Sequence, residues 1–351
     1  MSLKKLRKKI DGLDSQLVGI LNARAQISQY IGKEKSKIRK GIYSPEREKE
    51  VLGKIRSLNK GPLTHEALEA IYREIMSCSL SLEKIKEVAC LGQDGSFTYS
   101  AAKKKFGSQV KYRSCASIQE VFMRVERGEC AYGVVPIENS TEGGVTHTLD
   151  LFVDSDLRIC SQTLYPISHN LISKYPKGKI KVIYSNPQVF GQCRNWLLEN
   201  FPQVPEMWVA STTEAVQKAS KAKNAAAIAS TRAAEIFHMP VIEENIQDTK
   251  HNTTRFFVIG HQDAAPTGKD KTSILFSIKD RVGALHAMLV PFYKNRINLT
   301  KIESRPSKRK AWDYFFFVDF EGHRLDKNVK QALSKLEDMC KYLKILGSYP
   351  I

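Results

Sequence analysis

The apolar positions at the start of the chain fall on one helical stripe. Leu3, Leu6, Ile10, Leu13, Leu17, Ile20, position 24, Ile27 and Ile31 follow one another at alternating spacings of three and four, the period of a continuous α-helical seam. The pattern predicts a helix over 2–38, roughly 55 Å long at about 1.5 Å per residue. A helix of that length does not bury its own seam, so partner helices are needed, and a second chain is the expected source. Gly41 and Pro45 break it, a short helix is expected over 45–58, and Gly61, Pro62 and Thr64 supply a turn and an N-cap before a third helix reaching about residue 86.

From residue 88 the pattern changes. Short apolar runs at 88–91, 132–136, 182–184, 225–229 and 256–259 alternate with helical stretches, as in an open α/β sheet whose functional groups sit in loops at strand ends. A polar linker over 261–270, with Pro266 and Gly268, precedes a third pattern. There the order is strand 274–278, helix 284–293, strand 299–303, strand 312–320, helix 329–340 and strand 344–346, the βαββαβ of a ferredoxin-like domain. Three domains are therefore expected, at 1–87, 88–262 and 271–351, which suits 351 residues.

An apolar content of 42% excludes a disordered chain. The opening MSLKKLRKKI lacks an apolar core and a cleavage site, and no run approaches 18 apolar residues, so a soluble, cytoplasmic protein with no membrane partner is expected. Cys78, Cys90, Cys115, Cys130, Cys160, Cys193 and Cys340 lie far apart without metal-site spacing and read as buried reduced thiols. The net charge is +18, and the basic residues come in scattered clusters such as those at 4–9, 33–40, 103–105 and 307–310. No nucleic-acid recognition motif accompanies them, which favours a solvated basic surface over a nucleic-acid partner.

Two constellations carry chemistry. Arg24 occupies a seam position, where an unpaired guanidinium costs several kcal/mol, and Lys35 follows roughly 16 Å further along the axis. Arg7, Arg47 and Glu48 add polar groups. An interhelical salt-bridge network through Glu48 or Glu83 and a pocket for an anion both satisfy this pattern. The second constellation is four polar loops next to strands: 92–98 (GQDGSFT), 136–144 (PIENSTEGG), 185–193 (with Ser185, Asn186, Gln188 and Gln192) and 252–256 (NTTRF). No HExxH, GxSxG, P-loop or GxGxxG is present, and no metal or cofactor is implied.

The first segment resembles the all-helical chorismate mutase family through LRKKIDGLD at 6–14, LNAR at 21–24, IGKEK at 31–35 and PERE at 45–48. The resemblance implies an interleaved dimer. Arg24, Lys35 and Arg47 would hold the carboxylates and ether oxygen of chorismate, Arg7 would come from the partner chain, and Glu48 would take the substrate hydroxyl. Ser44 and Ser79 join the substrate-binding set, with Ser44 standing where an aspartate is common. Glu83 stands where some members carry glutamine, so it donates to the ether oxygen only when protonated, and mutase activity is then expected to fall as pH rises.

The four loops together resemble the prephenate dehydratase family, whose fold is two α/β lobes like those of periplasmic binding proteins. The resemblance implies that Thr254 assists the leaving hydroxyl and that Arg255 orders the loop or binds carboxylate. It places Ser96, Glu138, Asn139, Thr141, Ser185, Gln192 and Phe256 along the cleft. The third segment resembles phenylalanine-binding ACT modules through Gly283, Ala284, Leu285 and His286 and through Glu303, Ser304, Arg305 and Pro306. The ligand is expected between paired modules, in a dimer or tetramer.

The combined expectation is a bifunctional enzyme that rearranges chorismate to prephenate, converts prephenate to phenylpyruvate, and is inhibited by phenylalanine. Two alternatives stay open on the sequence. One is a dehydratase for prephenate or arogenate with a structural helical segment, and the other is an amino-acid-responsive nucleic-acid regulator drawing on the basic charge.

Overall fold

The computed structural model describes residues 2–38, 41–83, 85–278, 281–307 and 314–351. The expected strand start at Trp312, the basic residues 308–310 and the end of the 33–40 cluster lie outside them. Contacts divide the chain into two units, one spanning the segment through Glu87 together with Lys105–Lys111, the other Val88–Lys104 and Tyr112–Ile351.

The first unit is helical. Helix α1 (Leu3–Lys37) follows the apolar period, and α2 (Pro45–Leu58) starts on Pro45 with Ser44 accepting from the Arg47 amide. Thr64 caps α3 (His65–Leu82) by accepting from the Ala67 amide. That helix ends at Leu82, before the expected residue 86, and 85–87 carry no regular secondary structure. Residues 2–20 of α1 are all exposed, and the helix meets α3 only further along, through Arg24, Ser28, Gly32 and Lys35. Residues 105–111 complete this unit. The Phe106 ring lies 4.8 Å from that of Tyr43, and the Gln109 amide donates to Ser77 Oγ at 2.9 Å.

The second unit opens with β1 (Val88–Leu91), α4 (Phe97–Phe106), β2 (Tyr112–Cys115), α5 (Ile118–Glu126), β3 (Tyr132–Asn139), β4 (Gly143–Gly144), α6 (Thr146–Asp154) and β5 (Arg158–Pro166). A second lobe follows: β6 (Asn170–Ile172), β7 (Val182–Ser185), α7 (Pro187–Gln192), α8 (Arg194–Asn200), β8 (Glu206–Trp208), α9 (Thr212–Lys221), β9 (Ala225–Ala229), α10 (Thr231–Ile236) and β10 (Val241–Glu243). The chain then returns through β11 (Thr253–Gly260) to the first sheet, whose order is β2-β1-β3-β11-β5 with β4 beside β3, while the second sheet runs β10-β6-β9-β7-β8. Two crossings, 167–169 and 244–252, therefore join the lobes. These are the two α/β lobes that the sequence predicts.

The C-terminal portion is β12 (Asp270–Ser277), α11 (Ala284–Lys294), β13 (Leu299–Pro306), β14 (Tyr314–Glu321), α12 (Lys327–Met339) and β15 (Tyr342–Pro350), an antiparallel sheet in the order β13-β14-β12-β15. Its strands reach further than the apolar runs alone indicate. One apolar cluster holds Val135, Ile137, Phe152, Ile159 and Phe257 of the first lobe together with Leu275, Phe315, Phe317, Leu346 and Tyr349 of this sheet. The close fit is visible at Gly347, where a Cβ would lie 2.2 Å from the Ile159 carbonyl oxygen. Five cysteines are buried as expected and Cys340 is half-buried, whereas Cys78 is exposed on α3. No described helix is long and apolar enough to cross a membrane.

Candidate active sites

In the helical unit the seam cations converge on the C-terminal half of α3. Arg24 Nη1 donates to Ser79 Oγ at 2.6 Å, and Ser28 Oγ donates to Ser79 Oγ at 3.2 Å. Lys35 Nζ sits 3.0 Å from Glu83 Oε2 and donates to the Ile42 carbonyl. The salt-bridge reading of the sequence is thus realised at Lys35, while Arg24 is met by a neutral hydroxyl. Lys35 Nζ donates to Glu83 Oε2, whose side chain is 8% exposed, in an ion pair.

Glu48 is held by Tyr43 Oη at 2.7 Å and Lys105 Nζ at 2.9 Å. Arg47 is exposed and pairs with Glu50 at 2.7 Å, and Ser44 is engaged as the α2 cap. Arg7 lies on the exposed stretch of α1, away from these groups.

In the second unit, β3 and β11 pair antiparallel with Thr254 opposite Asn139 and Arg255 opposite Glu138. Because successive side chains of a strand alternate in direction, these two rungs serve different surroundings. The Asn139/Thr254 rung enters a buried polar cluster. Asn139 Oδ1 accepts from the Thr141 amide at 2.9 Å, the Glu142 amide at 3.1 Å and Thr141 Oγ1 at 2.6 Å. Backbone N–H groups only donate, so the amide's orientation is fixed. Asn139 Nδ2 then donates to Thr254 Oγ1 at 2.8 Å and to Asn252 Oδ1 at 2.6 Å. With one lone pair of Thr254 occupied, its own proton is left to donate.

The Glu138/Arg255 rung faces the C-terminal sheet. Arg255 donates to Glu138 Oε1 at 3.0 Å, to Asp319 Oδ2 on β14 and to Tyr349 Oη at 3.0 Å, with its guanidinium 4.8 Å from the centre of the Phe257 ring. Lys301 of β13 takes the other oxygen of Glu138. Burial alone would raise the Glu138 pKa, but the hydrogen bond from Lys301 and the charges of Arg255 and Lys301 hold it below the usual carboxylate value.

Comparison with known proteins decides the identity. The prephenate dehydratase family model matches residues 88–264, chorismate mutase type II matches 6–84, and the ACT domain matches 272–338. A bifunctional chorismate mutase/prephenate dehydratase of Aquifex aeolicus is 48% identical over 99% of this chain and 98% of that protein. One from Pseudomonas aeruginosa is 44% identical over 99% and 97%. The chain belongs to the bifunctional chorismate mutase/prephenate dehydratases. It is an enzyme of phenylalanine biosynthesis with a mutase domain, a dehydratase domain and a regulatory ACT domain. The crystal structure of a prephenate dehydratase from Arthrobacter aurescens in complex with L-Phe superposes with a TM-score of 0.70 at 32% identity, covering 76% of this chain and 90% of that one.

Within the dehydratase domain the structure gathers only part of the set expected from sequence. Asn139, Thr141, Gln192 and Thr254 share the polar cluster, with Gln192 Oε1 accepting from Asn252 Nδ2 at 3.3 Å. Glu138 and Arg255 stand on the opposite side of the strand pair, because a one-residue step along a strand reverses the side chain. Phe256 is packed in the core at 1% exposure, and Ser185 is fully buried with its hydroxyl donating to the Ile228 carbonyl. Ser96 organises its own loop, donating to the Leu91 carbonyl and accepting from the Tyr99 amide.

Sequence reasoning missed His169, Asp319 and Tyr349. Asp319 and Tyr349 are single polar residues inside strands, and only the packing of two sheets gives them a partner.

In the ACT domain Gly283 takes a positive φ of 75° at the start of α11, a conformation that suits glycine. Ala284 is buried, while Leu285 and His286 are exposed. β13 alternates: Ser304 and Pro306 are exposed, whereas Glu303 pairs with Lys301 at 3.1 Å and Arg305 reaches Asp150 of α6 at 3.3 Å. The expected ligand set is thus divided between an open face and the contact with the dehydratase lobe.

Proposed function

We propose that the helical unit performs the mutase reaction at Arg24, Lys35, Arg47, Glu48, Ser79 and Glu83, with Ser44 and the partner's Arg7 completing the pocket. The rearrangement is pericyclic and needs no acid, base or nucleophile, only a folded substrate and cations beside the ether oxygen where charge develops. Arg24 suits that task because its partner here is a neutral hydroxyl. The exposed seam of Leu3, Leu6, Ile10, Leu13, Leu17 and Ile20, each 45–65% exposed, supports a second copy of the chain as its cover, because contiguous exposed apolar surface of this kind marks an association site.

The single observation that carries the dehydratase reading is the hydrogen bond from Asn139 to Thr254. Prephenate loses carbon dioxide and its ring hydroxyl: the C–C bond to the carboxylate breaks, its electron pair enters the ring, the C–O bond breaks, and the hydroxyl takes up a proton that comes from solvent and leaves as water. Thr254 donates a hydrogen bond to that departing oxygen. A threonine hydroxyl is a weak acid, so its contribution is directional stabilisation while aromatisation supplies the driving force.

Phenylalanine binds the ACT domain at Gly283–His286 and at the exposed residues of β13, between paired modules, and acts through the coupling free energy of the two arrangements. The protein works in the cytoplasm. The test is to incubate purified enzyme with chorismate and follow prephenate and phenylpyruvate separately, with and without phenylalanine. Thr254→Ala is expected to accumulate prephenate, and native phenylpyruvate production by that variant refutes the assignment.

A further inference from the structure

His169 lies in the first crossing between the dehydratase lobes and is 1% exposed. Its ring meets Phe97 edge-on with centroids 5.5 Å apart, and its backbone amide donates to Gln247 Oε1 at 2.9 Å in the second crossing. Its Nε2 lies 2.7 Å from Gln192 Oε1, and its Nδ1 is buried without a hydrogen-bond partner.

The direction of every bond in this chain follows from the backbone. The Thr141 and Glu142 amides fix Asn139 with Nδ2 outward, so Asn252 accepts through Oδ1 and must donate through Nδ2. Gln192 Oε1 receives that donation, and its Nε2 points to the Glu142 carboxylate at 3.4 Å. An oxygen also lies opposite His169, so the imidazole carries its proton on Nε2 and donates. Burial holds the histidine's pKa below its ordinary value, in keeping with a neutral ring whose Nδ1 has no proton to place.

We propose that His169 is a positioning residue of the dehydratase, whose Nε2–H holds the Gln192 amide with its oxygen toward Asn252, so that the Asn252 side chain stays seated on Asn139 and Asn139 stays placed to leave the Thr254 proton free for the departing hydroxyl. The proposal rests on the reading of Thr254 given above. If the imidazole donor is lost, Gln192 is free to turn over. Asn252 Nδ2 then meets an N–H instead of an oxygen, and the repulsion shifts the Asn252 side chain against Asn139, whose orientation its backbone donors keep but whose placement beside Thr254 changes.

The test compares His169→Phe, His169→Asn and His169→Gln in the full-length enzyme. Mutase turnover and cooperative unfolding serve as controls for folding. The phenylalanine and asparagine variants lack a donor at the Nε2 position and are expected to lose about 10- to 100-fold in dehydratase kcat, the size of a misplaced reacting group. KM for prephenate should change little, and mutase turnover should stay native. The glutamine variant places an amide N–H near the lost Nε2–H and is expected to recover most of kcat. In a double-mutant cycle His169→Phe should cost little more in a Gln192→Ala background, because both act through one bond. Native dehydratase kcat in His169→Asn, or fully additive losses in the cycle, overturns the proposal. Native turnover in Thr254→Ala instead overturns the underlying assignment, so the two failures are told apart.

Discussion

Arg255 and Asp319 form an ion pair between β11 of the dehydratase and β14 of the ACT domain, with side chains 8% and 7% exposed. Arg255 immediately follows Thr254 on the same strand. A change in where the ACT sheet holds this guanidinium therefore acts one residue from the hydroxyl proposed to donate a hydrogen bond to the leaving group.

Removing one partner of a buried pair strands the other charge, at about 3–5 kcal/mol. Asp319→Ala is accordingly expected to lower unfolding stability by about that amount and to reduce dehydratase turnover. Chemical denaturation followed beside both activities checks this. Native stability would show that Glu138 and Tyr349 suffice to hold Arg255.

Asn139→Asp replaces the donor facing Thr254 with an oxygen while keeping the shape. The threonine proton then turns toward the aspartate and away from substrate, so dehydratase kcat should fall about 100-fold or more, within the usual range for acid–base assistance. A steady-state assay with prephenate decides it, and Thr254→Ser should retain most activity.

Arg24→Met keeps the length of the side chain and removes its charge. Mutase kcat/KM is expected to drop by about three orders of magnitude, comparable to losing a fixed charge at a developing oxyanion, with the dehydratase untouched. Parallel assays on one preparation give the answer, and equal losses in both reactions would indicate a folding defect.

Glu138 makes stability depend on acid. Its folded pKa lies below the unfolded carboxylate value of about 4.3, so its contribution is complete above that value and disappears as pH falls through the folded one. Melting temperature should therefore fall between about pH 5 and pH 3 more steeply in the native protein than in Glu138→Gln. Identical slopes would mean that Lys301 and Arg255 do not hold the carboxylate charged.

Leu13→Glu puts a charge into the exposed seam of α1. Sedimentation is expected to show a smaller species with mutase activity abolished and dehydratase activity retained, and an unchanged assembly would exclude this stripe as the contact.

The elements were largely legible in the sequence because helix period, strand length and turn residues are local. The caps at Ser44 and Thr64 and the βαββαβ order follow from short windows. Site membership was legible to a different degree. Asn139, Thr254 and Gln192 reveal themselves as polar residues at strand and helix ends. The separation of Thr254 from Arg255 depends on the pairing register of β3 with β11, and the partners of Arg255 depend on a sheet that begins after the 261–269 linker. His169 gives no local signal, since an isolated histidine beside a short apolar run is usually a packed core residue. Only the bond to Gln192 and the fixed direction of the amide chain separate it from that case.

The apolar cluster shared by β3, β11, α6 and the ACT sheet has a consequence for how feedback resistance can arise. Cutting the chain at the linker would expose Phe257, Ile137 and Phe152 to water, so a truncated enzyme is expected to aggregate before it escapes control. Desensitised variants should instead carry single changes on the open rim of the module, near Gly283 or Ser304, where the inner packing is left whole.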